Sequence, residues 1–290
     1  MTVMAAILPF ILFSCIGEEM MPCGKLIVVQ RIGEGGNAGT RGTVISSNTD
    51  LKGETFGFFA SLTPASSTPE QYFNASAVVN PDLTATISPE QYWPALLGAS
   101  MKFFSWYPYS GTGAPTANFS NPGQMVLNYT ANTDAANHVD VLAAISEPAW
   151  SEGVSIHFYH TLTKVTFTFK KVDPVPDVVT IEKIEFQNVG KIPATTTEHN
   201  KPDFVWNDIT TGNISSILAD NNTVTEEVVL MGDTFLMLPT DADDFPATAK
   251  IVITTNFGER EFLLKDILDA NPHSWESGEY INYNLTISNE

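Results

Sequence analysis

Apolar and polar residues alternate along many short segments of the chain, which are rich in Val, Ile, Thr, Phe and Tyr. Pro, Gly, Asn and Asp separate these segments, as is typical of strands joined by turns. The alternation is clearest near the C-terminus, where Ile281, Tyr283, Leu285 and Ile287 fall on one strand face. The strand candidates are 55–61, 101–106, 139–145, 154–160, 164–171, 179–189, 235–238, 248–255 and 280–287. The pattern predicts an all-β protein.

The alternation changes phase within residues 154–169. Val154, Ile156 and Phe158 lie at even positions, whereas Val165 and Phe167 lie at odd positions. A bulge or a tight corner between residues 162 and 165 would let both apolar sets face the same core. We therefore expect the chain to kink there.

The length of 290 residues corresponds to one large domain or two modest ones. Turn-forming residues at 146–153 separate two strand candidates and mark the most plausible boundary. We expect β-rich domains at residues 42–150 and 151–290.

The N-terminal segment has the features of an export signal. Its apolar run at residues 4–13 is much shorter than the roughly 20 helical residues that cross a bilayer, which favours a signal-peptide core. Leu12 and Ser14 precede Cys15 as in a bacterial lipoprotein cleavage site. The prediction is a signal peptide over residues 1–15, a lipid on Cys15 and attachment of the precursor to the outer membrane. The alternative is a misplaced start codon before a soluble chain.

Residues 16–41 have the features of a propeptide with a removable strand. The strand is Leu26, Ile27, Val28, Val29 and Gln30, and its β-prone character extends to residue 32. A Gly-rich loop follows it and offers a trypsin-like cleavage site between Arg41 and Gly42.

Loss of this strand would leave a groove that a neighbouring molecule's strand could fill. Arg31, at the end of the strand, is a weaker cleavage site, and the only other arginine, Arg260, is expected in a further strand of the second half of the chain. The alternative is an unprocessed edge strand followed by a plain linker.

Net charge and composition exclude some classes of partner and favour an extracellular protein. The net charge of −19 and pI of about 4.4 argue against nucleic-acid partners, which require clusters of Lys and Arg. The two cysteines, Cys15 and Cys23, both lie in the leader, so the body has no disulfide framework. Only 16% of residues are charged, which suits an extracellular β-protein with a surface of Thr, Ser and Asn.

Three sequence patterns resemble binding motifs, but each fits a purely structural role better than a binding site. Residues 33–38 match a dinucleotide-binding fingerprint, but no helical pattern follows them. His157 and His160 point to opposite faces of a strand, and the acidic residues at 241–244 lack the spacing of a calcium loop. We recognise no catalytic motif, and expect neither an enzyme nor a cofactor.

Residues 158–167, 235–239 and 275–285 resemble segments of the fimbrillin family of Bacteroidetes, the type V pilins. The resemblance extends over nearly the whole chain. It implies two tandem transthyretin-like β-sandwich domains, lipoprotein export and cleavage by an arginine-specific protease. It also implies donor-strand exchange with other pilin subunits in a fimbria that mediates cell adhesion to a host or bacterial surface.

Shaft subunits of that family are expected to carry a donor segment after the last strand. Here only residues 288–290 follow Ile287. We therefore expect a terminal, tip or minor subunit that accepts a strand without giving one.

The alternative function is a surface glycan-binding lipoprotein that stacks sugars on exposed aromatic rings. The candidate rings are Trp93, Phe103, Phe104, Trp106, Tyr107 and Tyr109. In a strand, Phe104 and Trp106 would share one face, and Phe103 and Tyr107 the other. We therefore expect most of these rings to lie in or near a core.

Overall fold

The fold was analysed in a computed structural model, which describes residues 25–35, 45, 47–65, 67–96, 98–148, 153–172, 178–190, 194–198, 204–207, 209–220, 222–270 and 274–288. The prediction of an all-β protein is confirmed. Within these residues the only α-helix is α1 (Leu264–Ala270), and two short 3-10 turns accompany it.

The strands are numbered in chain order as follows: β1 (Val29–Gly35), β2 (Thr55–Thr63), β3 (Glu70–Val79), β4 (Ala85–Ser88), β5 (Ser100–Tyr107), β6 (Thr116–Asn118), β7 (Val126–Tyr129), β8 (Leu142–Ser146), β9 (Val154–His160), β10 (Thr163–Lys171), β11 (Val179–Gly190), β12 (Ala194–Glu198), β13 (Phe204–Asn207), β14 (Thr211–Ile217), β15 (Thr223–Val224), β16 (Val229–Met237), β17 (Lys250–Thr255), β18 (Gly258–Leu263) and β19 (Tyr280–Ile287).

Seven strands form a closed barrel in the order β1–β4–β3–β2–β5–β8–β9. Alternate side chains of each strand point into it, so Phe56, Phe58, Phe103 and Phe158 fill its interior. The Phe58 and Phe103 rings stack with their centroids 5.3 Å apart, and the Phe56 ring meets Phe158 edge to face at 5.5 Å. Closure leaves no free edge, because the first strand pairs with the last.

The remaining strands build a sandwich beside the barrel. One sheet has the order β16–β10–β19, and the other has the order β14–β11–β17–β18, with β15 also paired to β11. Phe167 and Phe235 of the first sheet face Phe186 of the second, at centroid distances of 5.6 Å and 5.2 Å. These rings belong to the core between the two sheets.

The chain turns between β9 and β10, where a kink is expected. However, the two apolar sets face different cores, so the expectation of a shared core is wrong. Val154, Ile156 and Phe158 point into the barrel, whereas Val165 and Phe167 point into the sandwich core. The phase of the alternation changes because the chain passes from one sheet to another at this corner.

The barrel and the sandwich share a small sheet and part of a hydrophobic core, in addition to the chain that joins them. Sheet β13–β12–β7–β6 combines strands from both halves of the chain. Phe59, Phe104 and Trp106 point outward from the barrel wall and are buried in the core of the sandwich. β8 and β9 flank the expected boundary at residue 150, and both are strands of the barrel. The division into domains stays a prediction.

Candidate functional site: the strand that closes the barrel

β1 joins the two ends of the barrel sheet. It runs parallel to β9 over the register Val29–Val154 to Gly35–Tyr159, and Val29 pairs with Ala85 of β4 on the other side. The Ile32 amide also donates to the Leu83 carbonyl at 2.8 Å. Because β1 has partners on both sides, it is not an edge strand.

The residues that precede β1 extend this pairing. The Ile27 amide donates to the Gln91 carbonyl at 2.8 Å, and the Trp93 amide donates to the Lys25 carbonyl at 2.9 Å. The Val154 amide donates to the Val28 carbonyl at 2.9 Å. The segment that precedes β1 is therefore bound to the barrel through its backbone.

The side chains of this segment alternate between the barrel interior and solvent. Ile27 and Val29 are buried, with 2% and 0% exposure, whereas Leu26 and Val28 remain 39% and 43% exposed. The register with β9 shifts at Gln30, which is an extra residue with no paired residue on β9. This irregularity returns Ile32, 1% exposed, to the interior, although it lies an odd number of positions after Val29.

Close packing fixes the rest of β1 against β9. Gly33 lies opposite His157, and a Cβ on Gly33 would lie 3.1 Å from the His157 ring. A Cβ on Gly153 would lie 1.9 Å from Cδ of Gln30, so the residue before β9 must be small while Gln30 holds this position. The sequence shows both glycines, but only the pairing shows which side chains require them.

Burial of Ile27, Val29 and Ile32 stabilises the barrel by about 5–9 kcal/mol in total, at about 1.5–3 kcal/mol for each side chain. Typical domains have a total stability of only about 5–15 kcal/mol. A barrel without β1 would therefore lose an amount comparable to its net stability, unless another strand took the vacant place.

The predicted processing and lipid sites, Arg41, Gly42 and Cys15, lie outside the described residues. The chain has two other arginines, Arg31 in β1 and Arg260 in β18, and both lie in paired strands. A protease needs a segment that is free of such pairing, so both are poor cleavage sites in the folded protein.

A buried polar contact holds the chain shortly after Arg41. The Ile45 amide donates to Oδ2 of Asp140 at 3.1 Å, and Nδ1 of His160 lies 2.9 Å from the same oxygen. Asp140 is completely buried. Burial first, and the Asp140 charge second, raise the pKa of Tyr129. The sequence gives no signal for this contact, because 95 residues separate its two ends.

Most of the aromatic rings considered for glycan binding are buried, as the alternation predicts. Phe103 and Tyr107 belong to the barrel core, and Phe104 and Trp106 to the sandwich core. Trp93 is 3% exposed, and Tyr109, the most accessible of the six, is 41% exposed. A stacking platform requires accessible ring faces, so this group does not form one.

The described residues contain no cluster of three or more His, Cys, Asp or Glu that could hold a metal ion. His157 and His160 lie on opposite faces of β9, where His157 is exposed and His160 contacts Asp140. Asp241, Asp243 and Asp244 occupy an exposed loop with a short 3-10 turn. Among all the residues that the structure describes, no helix is long and apolar enough to cross a membrane.

Solved structures with a similar fold include two proteins of Bacteroides. A proposed cell adhesion protein of Bacteroides uniformis has 15% identity and a TM-score of 0.57, and the alignment covers 93% of each chain. One of Bacteroides ovatus has 15% identity and a TM-score of 0.55, with 92% of this chain and 94% of the other covered. These likenesses show a shared fold.

Comparison with curated protein sequences gave no significant match. A sequence model of the family described as fimbrillin-like matches residues 40–290, which is most of the chain and begins after β1 ends. The segments that resemble fimbrillins at 158–167, 235–239 and 275–285 all lie within this match. The chain belongs to the fimbrillin-like family.

Proposed function

We propose that the chain is a structural or adhesive subunit of a cell-surface fimbria, rather than an enzyme. In this proposal, an arginine-specific protease cuts the exported precursor between Arg41 and Gly42, and β1 then leaves the barrel. A strand of another pilin subunit takes the vacant place by donor-strand exchange. The lipid on Cys15 holds the precursor at the outer membrane, and the two β units correspond to tandem transthyretin-like domains.

The observation that carries the proposal is the position of β1 between β4 and β9. One strand completes both the hydrogen-bond ladder and the apolar interior of the barrel, and its chain neighbours on the C-terminal side include Arg41. If β1 left, β4 and β9 would become free edges on either side of a groove. An incoming strand could restore the backbone hydrogen bonds and fill the positions of Ile27, Val29 and Ile32.

The energy of β1 binding supports a coupled exchange. Because the loss is comparable to the net stability of a domain, the open barrel is a short-lived species that captures a donor strand or unfolds. The same loss makes the inserted donor strand a strong connection between subunits. A fibre can therefore be held together without disulfides.

The test begins with the intact chain and an arginine-specific protease. We expect a product that starts at Gly42, and we expect the fragment that carries β1 to separate from it when a donor is present. The donor is a labelled peptide with the sequence of residues 25–35, and its binding is followed by fluorescence anisotropy. Arg41→Ala should abolish cleavage and peptide binding, whereas the matched control Arg260→Ala should change neither.

The decisive observation concerns material assembled with other pilin subunits. Mass spectrometry of the fibres should find residues 42–290 without residues 26–32. Fibres in which Leu26 to Ile32 remain covalently attached to the subunit would exclude strand removal as the route of assembly.

A further inference from the structure

Ile45 lies four positions after Arg41 in the sequence. Its side chain is 6% exposed and belongs to the same apolar core as Ile27, Val29 and Ile32 of the removable segment. The segment before the predicted processing site and Ile45 after that site therefore pack in the same core.

The two parts nevertheless have different backbone partners. Residues 25–35 bond to β9, to β4 and to carbonyl or amide groups at residues 83–93. The Ile45 amide instead donates to the Asp140 carboxylate at 3.1 Å. The backbone bonds of residues 25–35 and the bond of Ile45 therefore involve different partner groups.

The structure holds the Asp140 carboxylate firmly. It is completely buried, and Nδ1 of His160 lies 2.9 Å from its Oδ2 atom and 3.1 Å from its Oδ1 atom. The adjacent residue Val141 accepts hydrogen bonds from the amide and the hydroxyl of Thr161, at 2.9 Å and 2.8 Å. A buried carboxylate that accepts a backbone hydrogen bond makes a stronger bond than a neutral acceptor.

We propose that Asp140 is a positioning residue that anchors the chain directly after the processing site. It allows β1 to leave while the barrel from Ile45 onward keeps its place. The role in processing rests on the proposed function, but the anchor itself can be measured in the intact chain.

Hydrogen exchange of the Ile45 amide, followed by NMR, tests the anchor. We expect this amide to be protected in the intact chain and to stay protected after cleavage at Arg41. Asp140→Ala should accelerate its exchange about 10- to 100-fold, as expected for loss of a hydrogen bond to a charged group. Asp140→Asn keeps an acceptor oxygen without the charge and should give an intermediate rate.

Asp50→Asn is the matched control, because Oδ2 of Asp50 accepts from the Ser47 amide at 3.0 Å in the same segment but at an exposed position. It should leave Ile45 exchange unchanged. If Asp140→Ala does not fold, the wild-type protein before and after cleavage, together with Asp140→Asn, decides the question. Rapid exchange of Ile45 in the intact wild type, or exchange unaffected by both substitutions, would overturn the anchor.

The result separates the anchor from strand removal. If β1 stays bound after cleavage and addition of the donor peptide, while Ile45 exchange depends on Asp140, the anchor stands and strand removal fails. If β1 leaves and Ile45 loses its protection in the same step, strand removal stands and the anchor is wrong.

Discussion

Ile32→Ala tests whether β1 is held in the barrel mainly by its inward side chains. Ile32 is 1% exposed, and truncation of a buried isoleucine to alanine costs about 2–5 kcal/mol through lost burial and the cavity left behind. The intact chain should lose that amount of unfolding free energy in urea. Val28→Ala is the matched control in the same segment, because Val28 is 43% exposed and should change stability by less than about 0.5 kcal/mol.

The same substitution should act on strand release after cleavage at Arg41. If Ile32→Ala weakens binding of the β1 fragment by about 3 kcal/mol and the whole effect is on the dissociation rate, the fragment should be released roughly 100-fold faster. Release can be timed by anisotropy of a label at the N-terminus of the fragment. The reasoning is refuted if Ile32→Ala and Val28→Ala have equal effects on stability, or if neither changes the release rate.

Three further predictions concern the rest of the fold. Gly57→Ala should lower the melting temperature by several degrees or prevent folding, because a Cβ there would lie 2.1 Å from the Trp106 ring; an unchanged melting curve would contradict this packing. Ser61→Ala should leave the urea midpoint unchanged or raise it, by at most about 1 kcal/mol in unfolding free energy, because the buried Ser61 hydroxyl has no hydrogen-bond partner among the described residues. Burial lowers the pKa of Lys164 in the folded protein from its usual 10.5. Between this lowered pKa and the pKa of the unfolded chain, the unfolded chain binds more protons than the folded protein. The unfolding free energy should therefore rise with pH in that window. Urea unfolding at several pH values below 10 should show a shallower rise in Lys164→Met, and equal slopes would exclude Lys164 as the cause.

Several features of the fold could be predicted from the sequence because they depend on local periodicity. Side chains alternate along any strand, so the two faces of β5 were predictable, with Phe104 and Trp106 on one and Phe103 and Tyr107 on the other. Burial of Ile27 and Val29 was not predicted, because the sequence marked residues 26–30 only as a β-prone run. The alternation did not show which core each face of β5 meets, since that depends on the sandwich that packs outside the barrel.

The phase change between β9 and β10 shows where local reasoning stops. The sequence indicates that the apolar alternation changes phase by one residue. It does not say whether the cause is a bulge within one sheet or the passage of the chain from one sheet to another. The structure contains both solutions at different places. Gln30 is a bulge that returns Ile32 to the same core, whereas the corner after His160 sends Phe167 to a different core.

The sequence by itself determined the all-β class, the resemblance to fimbrillins and an apolar strand ahead of Arg41. These follow from alternation, composition and residue order, which are properties of neighbouring residues. Only the tertiary structure decided that this strand runs parallel to β9 and closes a barrel, and that the Ile45 amide bonds to Asp140. Val29 of β1 pairs with Ala85 and Val154, 56 and 125 residues away, and the partner of Ile45 is 95 residues away. Their pairing depends on how the whole barrel closes rather than on any local pattern.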